Sequence, residues 1–273
     1  MMRHSRVATL CVIVVVGFVF VAMFAKYLSP YDPNAQNLSL RLQRPSFAHP
    51  LGLDELGRDV LSRLIWGSQI SLLIAVIVVA LSFAMGLPVG AISGYFGGKV
   101  EEMLMRLTDI VMSFPGIVLA ILFAYIMGRG PIAAFVALSL VSWTSIARIM
   151  RSVVLVEKEK DYVTAARVVG KGNFRILFGE ILPNSIQPVI VWSTLMMGNA
   201  IVLLAGLSFI GVGVQPPTAD WGIMVAEGYS YIVDNPLVAI TPGIVIIIVA
   251  LCFNIIGDSL QDALDPQLRR AMQ

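Results

Sequence analysis

The chain has 273 residues, of which 58% are hydrophobic and only 13% charged, roughly half the charge of an average soluble domain. A mean hydropathy of +0.85 excludes a disordered chain, and a formal charge of +2 excludes the strongly basic surface that a nucleic-acid partner requires. With His4 and His49 the only histidines, and no Cys/His cluster, no transition-metal site is expected; Cys11 and Cys252, in apolar runs near opposite ends, read as packed hydrophobes rather than a disulfide.

Crossing about 30 Å of hydrocarbon at 1.5 Å per residue takes about 20 apolar residues. Six runs qualify: 7–28, 69–92, 104–127, 131–150, 186–210 and 238–257. All are expected to be helices, because an open sheet in lipid leaves backbone groups unpaired. The first run follows Arg3 and Arg6 but is longer than a signal core and lacks a small-x-small cleavage site, so it reads as a retained anchor. Pro88 is a candidate kink in the second. The fold class expected is an all-α membrane protein with six spans.

Basic residues orient it. With the N-terminus in the cytoplasm, the inner segments carry Arg3, Arg6, Lys99, Arg106, the cluster from Arg148 to Arg175, and Arg269 and Arg270, while the last outer loop, 211–237, has no Lys or Arg. The first outer loop is an exception, with Arg41, Arg44, Arg58 and Arg63 among Asp32, Asp54, Glu55 and Asp59, but its charges nearly cancel. Both termini are expected in the cytoplasm, in a multi-pass protein of the plasma (inner) membrane.

The inner stretch 161–184, DYVTAARVVGKGNFRILFGEILPN, is polar between two apolar runs. Tyr162, Ala165, Ala166 and Val169 share one helical stripe, with Asp161 as the expected N-cap and Gly170 as the left-handed stop. A second short helix is expected from Asn173 through Phe174, Leu177, Phe178 and Ile181, ended by Pro183. Such a thin helical corner suits docking into a partner's groove; an interfacial helix on lipid headgroups is the alternative.

Thr164-Ala165-Ala166, then Gly170, then Ile181-Leu182-Pro183 resembles the EAA loop of permease subunits in bacterial ABC importers, where this loop couples to the ATPase. Thr164 stands where that family usually has glutamate; with Asp161 as N-cap it would be the third helical residue, and the capping-box partner is missing. The resemblance extends further. HPLGLDELGRD (His49, Pro50, Leu51, Gly52, Asp54, Gly57, Arg58, Asp59 among its residues), LSFIGVGVQPPTADWGIMVAEG at 207–228 and the tail DALDPQLR are similar to the C-type permeases of the dipeptide, oligopeptide and nickel import group. That resemblance implies a type I importer permease fold. It also implies a B-type permease partner in a heterodimer, two ATPase subunits that bind the ATP, and an extracytoplasmic solute-binding protein, with no cofactor on this chain. The implied organisation is 1–68 as first helix plus outer loop, 69–262 as transmembrane domain with coupling loop 151–184, and 263–273 as a cytoplasmic tail.

No phosphate loop is present: Gly98-Lys99 is followed by Val100 and Gly170-Lys171 by Gly172, and neither has the upstream glycine. The HPLGLDELGRD loop reads either as a local salt-bridged turn or as a surface for the binding protein. Trp221 reads as an interface anchor, Glu102–Arg106 as an i, i+4 ion pair, and Asn199 and Asn254 as interhelical hydrogen-bonders or solute contacts. No catalytic acid, base or nucleophile stands out, so an enzyme is not expected. Import of short peptides is the leading reading, a nickel or nickel-chelate importer the alternative. An ion-coupled secondary carrier is the rival from outside the class, and lacks support from internal repeats or midplane charges.

Overall fold

The structure, a computed structural model, describes residues 2–264, and the side chains of 6–264. The tail motif after Leu264, with Arg269 and Arg270, lies outside the described residues, as do the side chains of Arg3 and His4. In chain order the helices are α1 (Met2–Met23), α2 (Ala25–Leu28), α3 (Val60–Phe96), α4 (Gly98–Met112), α5 (Gly116–Ile126), α6 (Pro131–Glu157), α7 (Asp161–Val168), α8 (Asn173–Ile176), α9 (Leu182–Phe209), α10 (Trp221–Tyr229) and α11 (Leu237–Leu264). No strand occurs among the described residues.

Five helical runs are long and apolar enough to cross a membrane, and α4 with α5 makes a sixth that is bent by 88°. A straight span over 104–127 is therefore not what forms. Pro115 has no N–H to continue the ladder and pushes Phe114 out of helical conformation, so the chain breaks at Ser113–Pro115 and restarts at Gly116. The second span also differs from expectation, starting at Val60 rather than 69. Asp59 caps it by accepting from the Ser62 N–H at 2.7 Å, and its first turns carry Ser62, Arg63, Ser68 and Ser71, all buried. Apolarity alone cannot mark a helix start whose polar side chains are buried inside the protein.

The bundle centres on α3 against α6. Gly86, Gly90 and Gly94 recur every four residues on one face of α3. A side chain at these positions would collide with the carbonyls of Trp143, Ala147 and Arg151, so their absence lets the two backbones touch. Ile146, Ala147, Met150 and Val154 of α6 are fully buried in this seam. α9 packs on α11 in the same way, with Gly198 against the Ala250 carbonyl and Gly257 against Leu195. α1 lies on α11 and α3, which brings Cys11 and Cys252 side by side, buried and unbridged.

One end of the bundle gathers residues 29–59, 127–130 and 210–236, joined by Gly130 N–H to Gly213 carbonyl at 3.0 Å and by ion pairs described below. The opposite end gathers the α3–α4 turn with α7 and α8, tied by Lys158 Nζ to the Gly94 carbonyl at 2.9 Å and by the Tyr95 and Asn173 side chains at 3.1 Å.

Candidate functional site

At the α7 end, the chain leaves α6, makes the eight-residue α7 and turns sharply at Gly170. That residue has φ +79°; the Lys171 N–H reaches the Ala166 carbonyl at 3.1 Å and the Gly170 N–H the Arg167 carbonyl at 2.9 Å. These are the paired bonds of a Schellman motif, with Gly170 in the left-handed position the sequence assigns it. The start differs. Lys160 is the N-cap and makes no side-chain cap bond; Asp161 is the first helical residue and Thr164 the fourth. Thr164 is exposed, and the missing capping-box glutamate costs nothing here because no side chain caps this helix.

The expected stripe is divided. Tyr162 is half-buried and Ala166 buried, and with Val163, fully buried, they face the protein; Ala165 and Val169 face outward. The Tyr162 hydroxyl donates to Glu157 Oε1 at 2.7 Å, and burial followed by that bond pushes its pKa up to about 12, so it stays a neutral donor. The Arg167 guanidinium lies 5.9 Å from the centre of the Tyr95 ring. What remains outside is apolar: Val168 is 83% exposed, Val169 79% and Phe174 64%, with Phe178 beside Phe174 in a parallel pair 6.4 Å apart. Arg167, Lys171 and Arg175 are exposed around them.

The second short helix does not end at Pro183. Asn173 is its first residue rather than its cap, and the helix runs through a widened turn at Leu177–Ile181 directly into α9, with the Leu182 N–H bonded back to the Leu177 carbonyl. A wide turn just before a proline relieves the clash of its ring with the carbonyl four residues earlier. Ile181 is fully buried and Leu182 half-buried, so they brace the corner from inside, while Pro183 is exposed.

At the other end the HPLGLDELGRD loop closes on itself. Gly52 (φ +78°) and Gly57 (φ +70°) make its turns, and a side chain at Gly57 would strike the Asn37 carbonyl. Leu51 packs on Val60, Ile223, Met224 and Val238, whereas Pro50 is exposed. Asp59 accepts from Ser62 and pairs with His49 Nδ1 at 2.9 Å. Asp54 accepts from the Leu56 and Arg58 N–H groups, both at 2.9 Å, and from Arg58 Nε at 2.6 Å. The Arg58 guanidinium also reaches Glu55 at 2.8 Å and Glu227 of α10 at 3.0 Å; Arg63 reaches Glu227 at 2.7 Å.

Asp54, Arg58, Asp59 and Arg63 are each no more than 2% exposed, so they are an internal clamp and not a surface offered to another protein. The carboxylates of Asp54, Glu55 and Glu227 converge as a cation site would, and the cations they hold are the two guanidinium groups. Burial disfavours the Arg58 charge, but Glu227, Asp54 and Glu55 together outweigh it and raise its pKa; burial, reinforced by Asp54, raises that of Glu55. Trp221 is also interior, 1% exposed, its Nε1 donating to the Leu64 carbonyl at 3.1 Å, so it is no interface anchor. Asp220 caps α10 through Gly222 and Ile223 and accepts from Ser71 at 2.6 Å; burial raises its pKa.

Sequence reasoning missed the pairing of Glu227 with Arg63, and also Val163, Val168 and the exposure of Phe174. A signal for the first pair was present. The four arginines of the first loop and the total lack of Lys and Arg in 211–237, which contains Glu227, are complementary. Of the other expectations, the exposed Glu102–Arg106 pair forms at 3.0 Å.

A bundle of broken and glycine-packed spans with a helical corner projecting from one end is the transmembrane subunit of a type I ABC importer. The chain belongs to the family described as binding-protein-dependent transport system inner membrane component, which it matches over residues 86–270, and residues 1–45 match the N-terminal TM domain of oligopeptide transport permease C. It is 40% identical to the di/tripeptide transport system permease protein DppC of Pseudomonas aeruginosa, covering 98% of this chain and 90% of that protein. It is 39% identical to the glutathione transport system permease protein GsiD of Pectobacterium atrosepticum over 97% and 89%, and 38% to the probable D,D-dipeptide transport system permease protein DdpC of Escherichia coli over 98% and 90%. In three dimensions it resembles a chain of the inward-facing MetNI methionine ABC transporter with a TM-score of 0.62 at 23% identity, covering 75% of this chain and 97% of that one; this likeness shows the fold alone. Membership makes it a multi-pass inner-membrane component of an importer that works with ATPase and solute-binding subunits.

Proposed function

We propose that this chain is the C-type half of a heterodimeric permease that imports short peptides, paired with a B-type subunit and driven by two ATPase subunits that bind all the ATP. The observation that carries the coupling role is the corner at 161–178. Val168, Val169, Phe174 and Phe178 are exposed on a backbone fixed by the Gly170 turn, rimmed by Arg167, Lys171 and Arg175. An apolar groove with an acidic rim on the ATPase complements it. Lipid headgroups would be the alternative cover, but they give no reason for a locked turn.

Peptide cargo is supported by the similar proteins, which are named for di- and tripeptides, D,D-dipeptides and glutathione. The nickel reading gains no support from them, and the secondary-carrier reading gives way to the family. By the basic-residue count, both termini and the α7 end are cytoplasmic, and the clamp of Arg58, Arg63 and Glu227 is outside.

The test is uptake of radiolabelled dialanine and of nickel by the importer reconstituted with its partner subunits and binding protein. ATP-dependent dialanine uptake supports the proposal; uptake of nickel alone would replace it. Orientation is read in intact cells by an impermeant thiol reagent on a variant lacking Cys11 and Cys252. A cysteine at the exposed Asp234 should react and one at Lys171 should not, and the reverse would overturn the topology.

A further inference from the structure

Halfway along the bundle, on the side of α6 and α9 away from α3, lies an open cavity of about 290 Å³ lined by Ser142, Ser145, Trp192, Met196 and Asn199 among others, with no ionisable side chain. Asn199 follows Gly198, which faces the α11 backbone, so the Asn199 side chain leaves the helix on a different face and is exposed. It lies ten residues, about 15 Å, from the end of α9 at Phe209, and Ser142 lies about 16 Å from the start of α6 at Pro131, so both sit near the middle of a hydrocarbon core about 30 Å thick.

Most hydroxyls nearby turn back on their own helices: Ser139 donates to Phe135, Thr144 to Val141, Ser193 to Val189 and Thr194 to Ile190. Ser142, Ser145 and Asn199 have no hydrogen-bond partner among the described residues. The break between α4 and α5 lies at the same depth, because a side chain at Gly116 would sit 3.2 Å from Val141, the neighbour of Ser142. Irregular backbone and an unpaired carboxamide at mid-depth are tolerated against protein or water, not against lipid.

We infer that this cavity is this chain's midplane contact with the solute, where Asn199, Ser142 and Ser145 exchange hydrogen bonds with the amide groups of a passing peptide. A carboxamide offers both donors and an acceptor, matching N–H and C=O together, and a hydroxyl rotates to serve either. Trp192 and Met196 form an adaptable apolar wall for varied side chains. Such a surface reads the peptide bond and ignores sequence, and it holds no carboxylate, imidazole or thiolate to select a metal cation. The inference rests on the peptide reading above for the identity of the solute.

The experiment uses the complete importer in nanodiscs with Cys11→Ser and Cys252→Ser in this chain, and compares Asn199→Cys and Ser145→Cys with Leu251→Cys, an exposed apolar position midway along α11. A charged, water-soluble methanethiosulfonate should modify the first two at least tenfold faster than the third, and dialanine during ATP turnover should slow that modification several-fold. Asn199→Ala should cut dialanine uptake about fivefold with ATPase subunits still bound. Labelling of Asn199→Cys as slow as that of Leu251→Cys, in a complex that imports dialanine, would mean that a helix of the second permease or lipid covers the cavity; it overturns this inference and leaves the peptide reading intact. Fast labelling without protection, in a complex that imports no dialanine, overturns the peptide reading and the amide contact with it.

Discussion

The two ends of the bundle use charge in opposite ways. Around HPLGLDELGRD, charged side chains are turned inward and spent on one another: Arg58 and Arg63 are each 1% exposed and hold Asp54, Glu55 and Glu227. Around α7 the apolar side chains are turned outward, with Val168 at 83% and Val169 at 79% exposure, while the charged ones ring them. The lesson is that a motif's residue types do not say which way they face. A charged motif is here an internal weld between two segments about 170 positions apart, and the thin alanine helix shows its partner valines more than its alanines.

The largest effect is expected from breaking the weld. Arg58→Ala leaves Asp54, Glu55 and Glu227 short of a partner inside the protein, and losing one member of a buried ion pair costs about 3–5 kcal/mol. Thermal unfolding of the detergent-purified complex should show a large drop; an unchanged midpoint would mean that the network is as solvated as a surface pair. At the opposite end, Val168→Asp with Val169→Asp should leave folding intact yet weaken retention of the ATPase subunits at least tenfold, since each buried anchor in an interface is worth roughly 1–3 kcal/mol. Co-purification and uptake measure this, and wild-type values for both would remove α7 as the docking element. Ala166→Arg is not an equivalent test, because Ala166 faces the body and the variant strikes packing first.

Gly170→Val sharpens the same comparison with a smaller effect. Nothing lies within 4 Å of the new Cβ, so only the left-handed backbone is strained, by about 1–2 kcal/mol. Uptake should fall more than thermal stability does, and an equal fall in both would show the turn to be purely structural.

The smallest effect concerns pH. Because burial raises the Glu55 pKa, the folded chain retains a proton that the unfolded chain has lost between the ordinary carboxylate value and the higher folded one. The stability from that proton is full below this window and fades as pH rises through it. Glu55→Gln, neutral throughout, should flatten that stretch of the stability–pH curve, followed by melting at stepped pH. Identical slopes in both proteins would place Glu55 in water.

By itself the sequence determined the composition-level architecture: how many apolar runs there are, where glycine turns the chain at 170, and where the wet corner lies between spans. These follow from local chemistry, namely hydropathy over twenty residues and the freedom of glycine at positive φ. The break of the third span was not read from the sequence: Pro115 interrupts the ladder there, while Pro88, Pro188 and Pro242 are carried inside unbroken helices, so a proline alone does not say where a span bends. Only the tertiary structure decided the partners of Arg58 and Arg63, the division of Tyr162, Ala165, Ala166 and Val169 between two faces, and the exposure of Asn199. Each depends on which surface is brought opposite from far along the chain, and periodicity describes a helix's faces without saying what the fold puts against them. Val163 and Ala166 are interior because the ends of α3 and α6 meet α7 there, and Asn199 is open because α11 takes the neighbouring face through Gly198.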